Sequence, residues 1–301
     1  MDDCPHCPDC GADHPKRIGR LPDVAFFAGR RTDSLVPGGA LYRCATCALC
    51  FRWPRLAPSL LSTLYDNANV SVWREPEGTR QEWRMIGRMI EQLPLHRPRV
   101  LDVGCHTGDL LASLGVGVTA FGVEPNPHAR AVAARHCAAT WSSLDDIPPD
   151  VQFDVIVATD VLEHVEQPSA FLARLFELVT PKGEVILTTG DADAPLARLA
   201  GAHWWYWYLP EHLSFVSRDW FARLSAQAHI RVVNETQFAH SALQGGARLR
   251  GLMLALAYAL LGPHYLALVA RLYRRLGRTW QPMPHGQGVT RDHLLVALAR
   301  P

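Results

Sequence analysis

The chain has almost no net charge: 30 Lys and Arg stand against 29 Asp and Glu, a formal balance of +1. It lacks the basic, aromatic-interleaved stripe that tracks a nucleic-acid backbone, so no nucleic-acid partner is expected. It also lacks internal repeats and low-complexity tracts, which removes solenoids and disordered arrays. The first 20 residues hold no apolar run of the kind an export signal needs; they are polar, charged and cysteine-rich. The expectation is a cytoplasmic, reducing location, where clustered cysteines read as metal ligands rather than disulfides. One apolar run, Leu252 to Ala270, approaches the length of a minimal membrane span. Gly262-Pro263-His264 interrupts it, and proline breaks helices. Two short helices are expected instead, flanked by Arg248, Arg250, Arg271, Arg274, Arg275 and Arg278. That pattern suits a helical hairpin peripheral to the inner face of a membrane, a homodimer contact through Leu252–Arg278, or packing into its own core.

What is present is an ordinary globular composition, 48% hydrophobic and 20% charged over 301 residues. Residues 1–57 hold six of the eight cysteines and little apolar periodicity, the mark of a small module that needs a staple. Residues 58–97 form a helical linker, with Trp83, Ile86, Met89, Ile90 and Leu93 at helical spacing. From residue 98 to 301 short apolar strands alternate with helices, the signature of a parallel sheet covered on both faces. The hairpin, residues 245–285, interrupts this last stretch as an insertion before a final strand at His293–Ala299.

The strongest chemical signal is VLDVGCHTGDLLASL, residues 100–114. A strand runs into Gly104 and Gly108 and then a helix, so the backbone can turn sharply and approach a ligand at the helix N-terminus. The last glycine of a dinucleotide fingerprint is missing. Asp102 sits where a carboxylate suits a cationic amino-acid moiety and repels a pyrophosphate. Glu124, ending the next strand, is placed to accept hydrogen bonds from ribose hydroxyls. Residues 100–114, Phe121-Gly-Val-Glu124-Pro, FDVIVATDVLEHV (153–165) and LVTPKGEVILTTG (178–190) together resemble the ordered motifs of class I S-adenosylmethionine (SAM)-dependent methyltransferases. The resemblance implies an α/β fold with a Rossmann-like seven-stranded sheet, and SAM as cofactor. It implies that Asp102, Gly104 and Gly108 line the methionine and sugar region, that Glu124 holds the ribose, that Leu144 lies along the adenine, and that Thr159 and Asp160 sit near the sulfonium. The middle of the glycine turn, usually glycine in that family, is His106 here. A side chain at that point narrows the methionine end and keeps open a second reading, a SAM-fold scaffold that binds without catalysis.

Asp160, Glu163 and His164 are spaced i, i+3, i+4, and in a helix they share one face at the mouth of the sheet. An imidazole there suits a general base, so His164, supported by Glu163, and His212 of Pro-Glu-His-Leu are the expected catalytic residues. The run HWWYWYLP (203–210) follows the fifth strand of the expected sheet, and Trp205, Tyr206, Trp207 and Tyr208 are expected to cover the acceptor. Ubiquinone O-methyltransferases and small-RNA 3′-end enzymes hold a divalent ion with a similar E-x-x-E-H stretch, which makes metal-assisted O-transfer a further alternative. Two Cys-x-x-Cys knuckles, Cys7/Cys10 and Cys44/Cys47, complete a tetrahedral structural zinc site; Cys4 and Cys50 create overlapping pairs. A cysteine module ahead of such a domain resembles bacterial sugar, polysaccharide and natural-product methyltransferases. The expected acceptor is accordingly a small molecule or sugar, methylated on oxygen or carbon.

Overall fold

The structure is a computed structural model describing residues 5–28, 30–66, 80–239, 245–275 and 289–301. Cys4, the centre of the expected 58–97 helical stretch and the hairpin from residue 276 on, Arg278 included, lie outside the described residues. Five short strands come first: β1 (Lys16–Arg20), β2 (Val24–Phe27), β3 (Arg30–Val36), β4 (Ala40–Arg43) and β5 (Cys50–Trp53). Helices α1 (Pro58–Asp66) and α2 (Gln81–Glu91) follow, and α2 buries Ile86 and Ile90 on one stripe. Then come β6 (Arg99–Val103), α3 (Asp109–Ser113), β7 (Thr119–Val123), α4 (Pro127–Ala133), β8 (Ala139–Trp141), β9 (Phe153–Thr159), α5 (Pro168–Leu178) and β10 (Val179–Gly190). The chain continues through α6 (Pro195–Ala200), β11 (Ser214–Phe215), α7 (Arg218–Ala228), β12 (Arg231–Phe238), α8 (Gly245–Leu261), α9 (Pro263–Arg275) and β13 (His293–Ala299).

These elements form two compact units whose segments interleave in sequence. The first takes its residues from 1–68, 190–218 and 237–293, the second from 69–189, 219–236 and 294–301. The second carries the seven-stranded sheet, in the order β12-β13-β10-β9-β6-β7-β8. The pairs β10–β9, β9–β6, β6–β7 and β7–β8 are parallel. Its inner strands are near-continuous apolar runs, as burial on both faces demands: Val155 to Ala158 and Val185 to Leu187 are fully buried. The order reverses between β6 and β9, so the carboxyl ends of those strands open a crevice where open parallel sheets take their ligands. The sheet class expected from the motifs is the one found.

The first unit is built on an antiparallel sheet, β1-β4-β5-β11, in which Ser214 and Phe215 of the late strand pair with Phe51 and Cys50. Residues 1–57 are therefore not a free-standing module with almost no core. Leu21, Leu41 and Cys50 bury against Trp204, Tyr206, Trp207, Tyr208 and Phe215, and Tyr258, Ala259 and Tyr265 of the late helices join them. The aromatic run expected to cover an acceptor is the core of this unit, because rings of this size are stabilised most by full burial. Trp204 and Trp207 stack edge to face at 4.6 Å, and only Trp205 is part-buried. Arg52, itself fully buried, stitches the two segments together. Its guanidinium donates to the carbonyls of Gly38 (2.8 Å), Trp207 (2.6 Å), Leu209 (3.0 Å) and His212 (3.3 Å).

Candidate active site and metal centre

In the second unit, β6 places Asp102 at its carboxyl end, paired in register with Gly122 of β7 and Val157 of β9. The chain then turns at Gly104, whose φ of +76° is left-handed. A Cβ at Gly104 would stand 2.7 Å from the Val161 side chain, so glycine is required on both counts. The turn is anchored by Gly104 and Cys105, whose amides donate to the Val123 carbonyl at 2.8 and 3.0 Å. Gly108, also left-handed, caps α3 and lies against Ala133, where a Cβ would come within 3.1 Å of the backbone. His106 occupies a left-handed conformation too, with φ +47°.

Glu124 is buried and oriented by two backbone donors, the amides of His106 (2.9 Å) and Asn126 (2.8 Å). Each oxygen keeps a lone pair for a hydroxyl group. Asp102 is different: it is 2% exposed, and its Oδ1 accepts no hydrogen bond from the described residues. Burial, reinforced by the nearby Glu124 charge and opposed by Arg80, pushes its carboxyl up to about 8. A buried carboxylate without a partner is costly unless a cation completes it. The arrangement fits a ligand carrying an ammonium group and a diol.

At the end of β9, Thr159 lies opposite Thr188 of β10 and is half-buried. Asp160 follows with φ +53°, a conformation that aspartate tolerates better than most residues. Its carboxylate pairs with Arg80 Nη2 at 2.9 Å and accepts from the Thr188 hydroxyl at 3.3 Å. Arg80 also reaches Glu82 at 3.0 Å, and that carboxylate is wholly buried. The expected helical face of Asp160, Glu163 and His164 does not form. A single 3-10 turn spans Leu162–His164, and Asp160 lies outside it in left-handed backbone. Glu163 is buried and accepts from the Thr189 hydroxyl at 2.9 Å, whereas His164 is half-buried. Leu144 sits half-buried on a 3-10 turn whose carbonyl accepts from Arg174 at 3.2 Å.

The remaining expected groups lie in the first unit. His212 is buried, with Nδ1 3.2 Å from the Tyr206 carbonyl and its ring 4.3 Å from the Tyr206 ring. The Tyr206 hydroxyl accepts from the Gly190 amide at 3.1 Å, and Tyr208 contacts His203 Nδ1 at 3.2 Å. The Trp205 indole lies 3.4 Å from Asp292, which also contacts His293 Nδ1 at 2.9 Å. Sequence reasoning does not single out Arg80, Arg52 or the buried Asp292–His293 pair; no spacing pattern marks an isolated arginine or an Asp-His dipeptide.

The four sulfurs of Cys7, Cys10, Cys44 and Cys47 all lie within 4.8 Å of one another. The Cys7–Cys47 and Cys10–Cys44 separations are both 3.6 Å, near the roughly 3.8 Å edge of a tetrahedral zinc-thiolate site. The two knuckles share one backbone design. Gly11 donates to the Cys7 carbonyl at 2.9 Å, and Ala48 donates to that of Cys44 at 3.1 Å. Gly11 and Ala48 both adopt left-handed φ, +72° and +67°. Cys50 points instead into the aromatic core, where burial pushes its thiol up to about 12.

A family model described as a methyltransferase domain matches residues 33–235. The chain is similar to the mitochondrial ubiquinone biosynthesis O-methyltransferase of Schizosaccharomyces pombe, 38% identical over 104 residues, which are 30% of this chain and 37% of that protein. It is also similar to the ubiquinone biosynthesis O-methyltransferase of Methylocella silvestris, 32% identical over 173 residues, 52% of this chain and 67% of the relative. The chain thus spans little more than a third of the first relative's length and two thirds of the second's. Among solved structures it is similar to the glycopeptide N-methyltransferase MtfA complexed with S-adenosyl-L-methionine. That likeness has 13% identity over 75% of this chain and 95% of that one, at a TM-score of 0.45.

Proposed function

The chain belongs to the methyltransferase-domain family, and from that premise we propose that it transfers the methyl group of SAM to a hydroxyl oxygen of a small-molecule acceptor. The observation that carries this reading is Asp102, a buried carboxylate beside a glycine turn with one oxygen that has no hydrogen-bond partner among the described residues. Asp102 holds the α-ammonium of the cofactor. Glu124, already oriented by two backbone amides, accepts from the ribose hydroxyls. Gly104 and Gly108 keep the turn clear of side chains, and Leu144 borders the adenine. Thr159 at the end of β9 and Asp160 just beyond it would lie on the side of the bound sulfonium. Bound SAM supplies an electrophilic methyl group on sulfur. The chain's own contribution is alignment and a base: His164 or His212 takes the proton from the acceptor hydroxyl as the oxygen attacks.

The O-methyltransferase names of both relatives support an oxygen acceptor, and the balanced charge of the chain supports a small molecule. The cysteine cluster holds a structural zinc; four thiolates leave no open position for catalysis. Transfer of labelled methyl from SAM across a panel of hydroxylated acceptors tests the reading. Label should reach an oxygen, and His164→Ala or His212→Ala should lower turnover roughly 10²–10⁴-fold. Label found on carbon or nitrogen alone would contradict the oxygen reading. Unchanged turnover in both histidine variants would remove the base.

A further inference from the structure

Helices α8 and α9 meet at Gly262, where Tyr258 and Tyr265 pack ring to ring at 5.9 Å. The inner face of α8 is buried at Gly251, Ala255, Tyr258 and Ala259. Its outer face carries Leu249, Met253, Leu256 and Leu260 at i, i+4, i+7 and i+11, and these residues are 47–65% exposed. Leu261 at the joint and Leu268 and Leu272, one helical turn apart on α9, are each at least half exposed. Isolated exposed leucines need no explanation, but seven exposed apolar side chains within residues 249–272, four of them on one face of α8, mark an interaction surface. Exposed arginines stand at the ends of the helices away from the joint: Arg248 and Arg250 on α8, Arg271 and Arg275 on α9.

The surrounding sequence is strongly biased. Between Glu235 and Asp292 there is no acidic residue and there are seven arginines, leaving 23 Lys and Arg against 29 Asp and Glu elsewhere. The near-neutral chain is therefore a basic segment set against an acidic remainder. Among the described residues no helix is long and apolar enough to cross a membrane; α8, at 17 residues, reaches only about 25 Å. We propose that the outer face of α8 and α9 docks on an anionic lipid surface, with the leucine stripe in the acyl boundary and the arginines on the headgroups. A second copy fits less well. A two-fold contact brings together two patches that both carry arginines, with no acidic residue in the segment to pair with them.

The test is co-sedimentation of the full chain with vesicles of phosphatidylcholine, with and without phosphatidylglycerol. The protein should pellet with the anionic vesicles and remain in solution with the neutral ones. Leu256→Ser/Leu260→Ser and Arg271→Gln/Arg275→Gln should each weaken partitioning roughly tenfold or more. Both pairs are exposed and should leave the near-ultraviolet circular dichroism unchanged. Wild-type protein that stays in solution with anionic vesicles overturns the proposal. So does vesicle binding that survives both double variants. A dimer seen by light scattering that Leu256→Ser/Leu260→Ser dissociates, without vesicle binding, assigns the face to a second copy.

Discussion

Asp102 concentrates the conflict between stability and function in one side chain. In the unfolded chain its carboxyl ionises near the ordinary 3.8; in the fold, burial raises it to about 8. The folded state therefore keeps a proton that the unfolded state loses. Stability of the ligand-free protein should fall as pH rises from about 4 to about 8, then level off. Asp102→Asn should flatten that dependence and raise unfolding stability at about pH 8 by about 1–2 kcal/mol, measured by urea unfolding. The same change should abolish capture of an ammonium group. SAM affinity of the wild type should rise between about pH 6 and about pH 8, as the carboxylate forms. Ala48 presents a simpler case: it holds the left-handed φ of +67° that Gly11 takes in the matching knuckle. Ala48→Gly should raise thermal stability by about 1 kcal/mol, since a Cβ in that conformation costs about 1–2 kcal/mol. At this scale the candidates, rather than their roles, were legible. Asp102, Glu124 and the cysteines carry spacing that chemistry demands. The pairing of Arg80 with Asp160 was not, because Arg80 belongs to no periodic pattern.

At the scale of elements, chain order and apolar runs disclosed β6, β7, β9 and β13 closely, since strands buried on both faces write continuous hydrophobic stretches, whereas β10 begins at Val179, ahead of the Pro-Lys-Gly sequence that reads as a turn. The small strands of the first unit were not foreseen. Each of β1–β5 is only four to seven residues long, and β11 has two; β11 in addition pairs with a partner more than 150 residues earlier, β5. The aromatic run shows the same limit from the other side. Its composition announces burial or binding, and only the pairing of β11 with β5 shows that it closes a core. Arg52 is the clasp of that pairing. Burial lowers its guanidinium to about 10, and four carbonyls depend on it. Arg52→Ala should cost roughly 3 kcal/mol or more in denaturant unfolding, because truncation strands buried acceptors. Arg52→Lys should recover only part of that loss, since an ammonium cannot reproduce the fork.

For the molecule as a whole, length and composition indicated two structural tasks, a cysteine-stapled part and a parallel-sheet part. They could not show that residues 190–218 and 237–293 return to the first unit, because such interleaving depends on long-range packing alone. Metal analysis of the purified chain should find about one zinc per molecule. Cys44→Ser should lose it, and Cys50→Ala should keep it, since Cys50 belongs to the aromatic core. Chelation should lower the melting temperature, as the first unit loses the ligand that joins its two knuckles. Calorimetric titration with SAM and S-adenosylhomocysteine tests the cofactor site most directly. Wild-type protein and His164→Ala should bind one equivalent of either ligand, whereas Asp102→Asn, although at least as stable, should bind neither. A folded, zinc-replete protein that takes up neither ligand, or an Asp102→Asn variant that binds as tightly as wild type, would contradict the account.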